Sequence, residues 1–439
     1  MKLRANKLQE HNLYCLLIIL MNVCYFYFAF ISQYDSFGFN QLKHMGMPAM
    51  VLSFFLIGIL IILTNKMLAE KNSLHRVVVP TNSIGAIFYY SVASFLFFLV
   101  FLSLKNEFIN QDGLAFTRKF MDNVPTIGVF VTHDEMLEFY LHSRFWYYTN
   151  LLFGWSVTYS YQFLSAFAGG VFVFILLVFS AEVMPKQFLE SFFLMISGGF
   201  MQLFFGDVEN YSLVSVVILL YFLLAYLFVK GKVKIIAPSM MLSLAMCFHL
   251  LAGWLLPSLV YLWIISARRK EYSQLMIGLA SYVLVFLLTL LFLHFHGLPI
   301  RSLYYRSHAF GHGGHILEML TRPSLEYYWQ LINLLFLMFP ALLMFIPLLT
   351  FKRIDASPFN VFMILSTLFM LAFMFTWNAM LGVYNDWNLF APCAIPLSIL
   401  WWYNFVRISN LKYKTGICLG IFSTSMLHSY SWIISNHFL

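Results

Sequence analysis

Apolar runs of about 20 residues recur along this chain from one end to the other, and nothing else in the sequence limits its fold as strongly. A helix of about that length crosses ~30 Å of hydrocarbon, so each run reads as a membrane crossing. The sequence predicts an all-α fold, a polytopic transmembrane helical bundle of about 13 spans. They are placed near 12–33, 48–68, 83–104, 158–182, 188–205, 212–229, 235–249, 251–267, 274–295, 328–351, 357–377, 389–406 and 415–435. Only 10% of the 439 residues are charged, where a soluble domain would carry about 25%. No polar stretch exceeds roughly 50 residues, the low end for an independent domain. Residues 1–439 are therefore read as one membrane-embedded domain, with N-terminal spans in 1–82, a first large outer loop at 105–157 and a second at 296–330. The first run follows Lys2, Arg4 and Lys7 and has no small-residue cleavage site, so it is expected to be a retained span.

Charge sorts the loops. With the N-terminus cytoplasmic, 18 of the 26 Lys and Arg fall inside, leaving 26 − 18 = 8 outside, as the positive-inside rule expects. This accounts for the net charge of +8 without a nucleic-acid partner. The acids run the other way, with 12 of 18 outside. That bias is not required for topology, since acids hardly affect orientation. It places the working surface on the extracytoplasmic side. Cys15, Cys24, Cys247, Cys393 and Cys418 all lie in apolar runs without metal or disulfide spacing and read as small buried hydrophobes.

The spans 235–249 and 251–267 are short and flanked on both sides by basic residues, which suggests a hairpin with its tip, CFHLLAGW, near the outer interface. Non-helical backbone at that depth must be buried in protein or line a wet cavity. Ten charged side chains lie between Lys105 and Arg144. Within this stretch Asp112, in QDG, is read either as a helix cap or as a reactive carboxylate. THDE reads as a capping box of Thr132 with Glu135, opening an interfacial helix with Trp146, Tyr147 and Tyr148 at headgroup level. Further outer polar stretches are FFGDVENYS, with Asp207 and Glu209, the loop 296–330, and YNDWNLF, with Asp386. In the loop 296–330, His308, His312 and His315 have a spacing that suggests metal, but three glycines in HAFGHGGH weaken the helix that metal binding would need. Arg301, Arg306 and Arg322 suit a bound anion or lipid headgroups. His249 is read as a packing residue or a ligand contact.

The ordered set of the QDG loop, LEFYLHSRFWYY, YQFLSAFAGGVFVF, FFGDVENYS, FHLLAGWLLPSLVYL and YNDWNLFAPCAIPLSIL resembles polytopic glycosyltransferases of the GT-C fold class. That class includes the protein O-mannosyltransferases and the aminoarabinose transferases of lipid A. The resemblance covers roughly residues 85–407 and rests on order rather than on any single specific motif. It implies a sugar moved from a polyprenyl-phosphate carrier, with a catalytic Asp in the first large outer loop; Asp112 matches that position. Members often show two acids there, whereas this chain has QDG, and it has two spans before the loop where most have one.

The resulting expectations assign Asp112 as catalytic base, Arg301 and Arg306 to the carrier phosphate, and Asp207, Glu209, Asp386 and His249 to substrate. The expected reaction is inverting transfer to an acceptor hydroxyl on a glycan, lipid or protein, at the extracytoplasmic face, from a polyprenyl-phosphate sugar. No metal site and no cofactor beyond that donor are assigned, with a divalent metal left open, and no nucleic acid is expected. The location is a multi-pass membrane protein of the plasma (inner) membrane rather than the endoplasmic reticulum. Rival readings are a polysaccharide polymerase or ligase, which the loop 296–330 would fit, and a transporter. The transporter predicts charges within spans and an internal repeat, and the sequence shows neither.

Overall fold

The computed structural model describes residues 2–32, 36–46, 51, 58, 84–107, 109, 111–127, 135–297, 324–379, 381–408 and 414–438. The described chain is helical throughout. Apolar side chains favour burial in lipid or protein, and the helix satisfies every backbone N–H and C=O within one segment. In chain order the helices are α1 (Lys2–Phe30), α2 (Ile84–Ser103), α3 (Gln111–Ile127), α4 (Met136–Phe153), α5 (Val157–Val183), α6 (Phe188–Ile196) and α7 (Ser212–Val229). They continue with α8 (Ile236–Phe248), α9 (Leu256–Arg268), α10 (Tyr272–Phe295), α11 (Leu325–Met338), α12 (Phe345–Thr350), α13 (Pro358–Thr376), α14 (Trp387–Val406) and α15 (Lys414–Phe438). Local chemistry sets several of their ends. The Ser156 and Ser324 hydroxyls accept from Tyr159 N and Tyr327 N at the starts of α5 and α11. Gly154, in the left-handed region at φ 68°, closes α4.

Among the described residues nine helices are long and apolar enough to cross a membrane, or ten with the bent pair α11 and 342–350, which turns by 84°. Two of the expected spans are not single long helices. The stretch 188–205 breaks after nine residues of α6 and continues as the tight turn Gly199–Phe204, all of it buried. The expected hairpin breaks at His249, leaving α8 as a 13-residue helix, while 250–268 is long enough to span. The expected span 48–68 lies outside the described residues.

Burial orders the bundle. In α14, 94% of the apolar window is buried, against 6% in α10, so α14 is the central post and α10 rests on the rim, packed chiefly on α8. The turn Gly199–Phe204 wedges between α5, α14, α15 and α11. It fits only because Gly199 lacks a side chain: a Cβ there would lie 2.0 Å from Leu337 O.

Two sets of polar contacts mark the two ends of the bundle. At one end Arg353 pairs with Glu10, Lys232 with Glu182 and Arg407 with Asp355, and Lys414 donates to Gln187. All of these belong to loops or helix ends that charge counting assigned to the cytoplasm. At the other end the stretches around 105, 206, 386 and 437 meet. All four were assigned to the outside, so the grouping of loops by charge matches the grouping by contact.

Candidate active site

The end of the bundle away from these ion pairs is built where the chain leaves α2. His437 Nδ1 lies 2.8 Å from Lys105 O, Asn106 N donates to Phe205 O at 2.6 Å, and Glu107 N donates to Asn436 O at 3.2 Å. The Gln162 side-chain amide donates to Asn106 O at 2.8 Å. These bonds tie the start of the loop after α2 to the turn after Phe205 and to the end of α15. Gly206 permits the contact. It turns the chain at φ 70°, and a Cβ would meet Lys105 Cβ at 2.8 Å.

The next residue, Asp207, is 5% exposed and faces a small cleft with Asn106, Tyr384, Asn385, Trp387, Trp432 and Asn436. Its Oδ2 accepts from the Asn388 side-chain amide at 3.3 Å. Burial pushes the Asp207 carboxyl up to about 7, against the Asn388 and Val208 N–H bonds that favour its ionised form. A carboxyl of this kind takes and releases a proton near neutral pH. Lys105 and Glu107 at the loop start pair with each other. No group of three or more His, Cys, Asp or Glu among the described residues is arranged to hold a metal ion.

Behind this cleft α4 presents a polar stripe. Glu135 Oε2 accepts from the Asn210 amide at 3.1 Å, and Asn210 Oδ1 accepts from the Tyr161 hydroxyl at 3.2 Å. Glu138 Oε1 accepts from Val214 N at 3.0 Å, so a carboxyl from α4 caps α7. Its other oxygen lies 3.9 Å from His142 Nε2, and the His142 ring stacks on Tyr161 at 3.8 Å. Burial pushes the Glu138 carboxyl well above its ordinary range and His142 down to about 3. Both shifts have one physical cause, since burial disfavours the charged form of each group.

Four of the sequence-predicted residues, Asp207, Glu209, Asp386 and His249, are among the described residues. Asp207 lies in the cleft. Glu209 is buried two residues on, close to Tyr161. Asp386 is buried at the start of α14 next to the cleft residues Asn385 and Trp387, and its Oδ2 accepts from Leu381 N at 3.0 Å. His249 has both ring nitrogens engaged. Nδ1 accepts from Leu251 N at 3.1 Å, so Nε2 carries the proton and faces Glu135 Oε1 at 3.4 Å. Its ring stacks on Tyr211 at 5.1 Å. Asp112 falls in the first turn of α3, and its side chain lies outside the described residues. So do Arg301, Arg306, Arg322 and the histidines of the loop 296–330, and Thr132 of the expected capping box. Glu135 is the residue before α4 but makes no cap bond with its side chain, because Asn210 and His249 hold its carboxylate. Trp146 is buried within the protein, with Nε1 donating to Trp155 O at 3.1 Å. Tyr148, Leu151, Leu152 and Phe153 form the exposed end of the same helix.

Sequence reasoning missed Asn106, Asn385, Asn388 and Asn436, since single asparagines near span ends carry no pattern. It also missed Glu138 and His142, although positions 135, 138 and 142 fall on one helical face and so carried a signal.

No protein-family model matches the sequence, and no curated protein matches it either. Solved structures do match. ArnT from Cupriavidus metallidurans bound to undecaprenyl phosphate aligns with a TM-score of 0.53 at 10% identity, covering 81% of this chain and 77% of that one. The same protein in the apo state aligns with a TM-score of 0.50 at 10% identity, covering 80% and 76%. The chain shares the polytopic helical fold of these structures.

Proposed function

We propose that this chain is an integral membrane glycosyltransferase that moves a sugar from a polyprenyl-phosphate carrier to an acceptor hydroxyl on the extracytoplasmic face. The observation that carries the reading is Asp207: a buried carboxyl poised near pH 7 in a cleft at the outer end of an ArnT-like bundle. The ArnT structure holds undecaprenyl phosphate, which supports a carrier of that chemistry here.

In this reading the acceptor oxygen bonds to the anomeric carbon as the bond from that carbon to the phosphate oxygen breaks. The electron pair leaves with the polyprenyl phosphate, and the hydroxyl proton passes to a carboxylate. One such displacement inverts the anomeric centre. Asp207 takes the proton, because a carboxylate whose conjugate acid titrates near the working pH is the strongest base still available there. Asp112, expected as the base, lies in the first turn of α3. It stands between Ile109 and Phe116, and both pack on the cluster that holds Val208. Its proposed part is to orient the acceptor. Arg301 and Arg306 stabilise the charge that develops on the leaving phosphate. Glu209, Asp386 and His249 shape the wall behind the substrate.

The test is transfer of radiolabelled sugar from an undecaprenyl-phosphate donor by purified protein in proteoliposomes. Asp207→Asn is expected to lower turnover by about 10²- to 10⁴-fold, and Asp112→Asn by less. The reverse order would return the base to Asp112. Wild-type turnover in both variants would remove this cleft from the chemistry.

A further inference from the structure

We propose that Asn210 is a positioning residue, and that its hydrogen bond to Glu135 sets the place of Asp207 for proton transfer. This rests on the glycosyltransferase reading and deepens it, by naming what holds the proposed base. Asp207 and Asn210 stand three residues apart, in the non-helical stretch between the turn Gly199–Phe204 and α7. The near end of that stretch is tied at Phe205, whose carbonyl accepts from Asn106 N. The far end is tied to α4. Asn210 is fully buried; its Nδ2 donates to Glu135 Oε2 at 3.1 Å, and its Oδ1 accepts from the Tyr161 hydroxyl at 3.2 Å. One turn further on, Val214 N donates to Glu138 of the same helix. Val208, between the two ties, is buried with Phe120, Phe139 and Tyr161.

A short carboxamide meets both partners at this position. Tyr161 offers a hydroxyl proton and Glu135 an acceptor oxygen, so position 210 must accept on one side and donate on the other. Glu135 is itself held, because its other oxygen faces His249 Nε2 at 3.4 Å and His249 Nδ1 accepts from Leu251 N. Removing the Asn210 side chain leaves the Tyr161 hydroxyl and one Glu135 oxygen without this partner. It also frees the stretch that carries Asp207 to move toward water.

Melting of detergent-solubilised protein reads the placement of Asp207 without any assay of transfer. A buried Asp207 costs stability once ionised, so Asp207→Asn melts higher than its parent at pH 8. In an Asn210→Ala background water reaches the carboxyl, and this difference is expected to shrink by at least about half. Lys105 and Glu107 on one side of Asp207, Glu135, Glu209 and His249 behind it, and Asp386 beside the cleft are all kept in that background, so the change reports hydration. A difference as large as in the wild-type background overturns the inference. If Asn210→Ala does not fold, Tyr161→Phe, which keeps the ring that stacks on His142, takes its place with the same two outcomes. Transfer gives a second reading. Asn210→Asp turns a second acceptor toward Glu135 and is expected to lower kcat by about 10- to 100-fold, with KM within about two-fold. The exchange Asn210→Asp with Glu135→Gln restores one donor facing one acceptor and is expected to recover most of kcat. No loss in the single variant, or no recovery in the exchange, overturns the inference and leaves the glycosyltransferase reading standing. If the wild type transfers no sugar, that reading fails, and the melts alone decide whether Asn210 holds Asp207.

Discussion

Asp207→Asn should leave the protein inactive in sugar transfer and also more stable, by an amount that grows with pH. Burial raises the Asp207 carboxyl from its ordinary 3.8 to about 7. The difference, 7 − 3.8, is about 3 pH units at about 1.4 kcal/mol each, so ionising Asp207 costs about 4 kcal/mol more in the folded protein than in the unfolded chain. The sign follows from the direction of the shift. With the folded value raised, the stability due to the protonated carboxyl is full below pH 3.8. It is lost progressively between 3.8 and about 7, and the loss is complete above that. An amide carries no such cost, and its oxygen can keep the hydrogen bond from Asn388. At pH 8 the Asn variant should therefore gain up to about 4 kcal/mol, and below pH 4 almost nothing. The assay is thermal unfolding of detergent-solubilised wild type and variant between pH 4 and 8. The melting temperatures should coincide at the acid end and diverge as pH rises. A gap that stays constant across this range, or a variant that melts lower at pH 8, refutes the claim that this carboxyl is buried and costly to ionise. In the wild type, transfer should rise with pH to a plateau with its midpoint near 7, standing at about one-tenth of the plateau one unit below.

Three further outcomes follow from the packing. Glu138→Ala should destabilise by about 2–4 kcal/mol, because it leaves the first turn of α7 without its acceptor and opens a buried hole. Glu138→Gln should stay nearer wild type, because its amide oxygen can still accept from Val214 N; paired thermal melts compare them. Gly199→Ala should cost more than about 3 kcal/mol or abolish expression, since its Cβ would meet the backbone of Leu337 at 2.0 Å. Yield after size exclusion reads that effect. Glu10→Ala should cost about 1–3 kcal/mol, because Glu10 is buried and both of its oxygens accept from Arg353. Restored stability in Glu10→Gln would show that shape outweighs charge there.

Parts of the candidate site were legible before folding. Asp207 and Asp386 stand out because each is an acid within a few residues of an apolar run on the side expected to lie outside. His249 stands out because it interrupts two short spans, and the chain does break there. The roles of these residues were not legible, since they depend on what lies opposite. His249 and Glu135 meet only when α4 crosses the break after α8. Glu138 reads as an ordinary helix acid until α7 is seen to begin at its carboxyl. The interruption in 188–205 is equally silent, because the turn Gly199–Phe204 is as apolar as a span and is recognised only by what it packs against.

Hydropathy and charge act locally and over the length of one crossing. The sequence alone therefore determined that the chain crosses a membrane many times, which loops share a side, and that acids gather on one of them. The cleft is of another kind. Asn106, Asp207, Asn385 and Asn436 come from four separate stretches of the chain, and their distances depend on how closely helices pack at places such as Gly199 and Gly206. Only the tertiary structure decided that Asp207 is buried enough to titrate near neutrality, because desolvation is a property of the surrounding atoms and not of the residue or its neighbours in sequence.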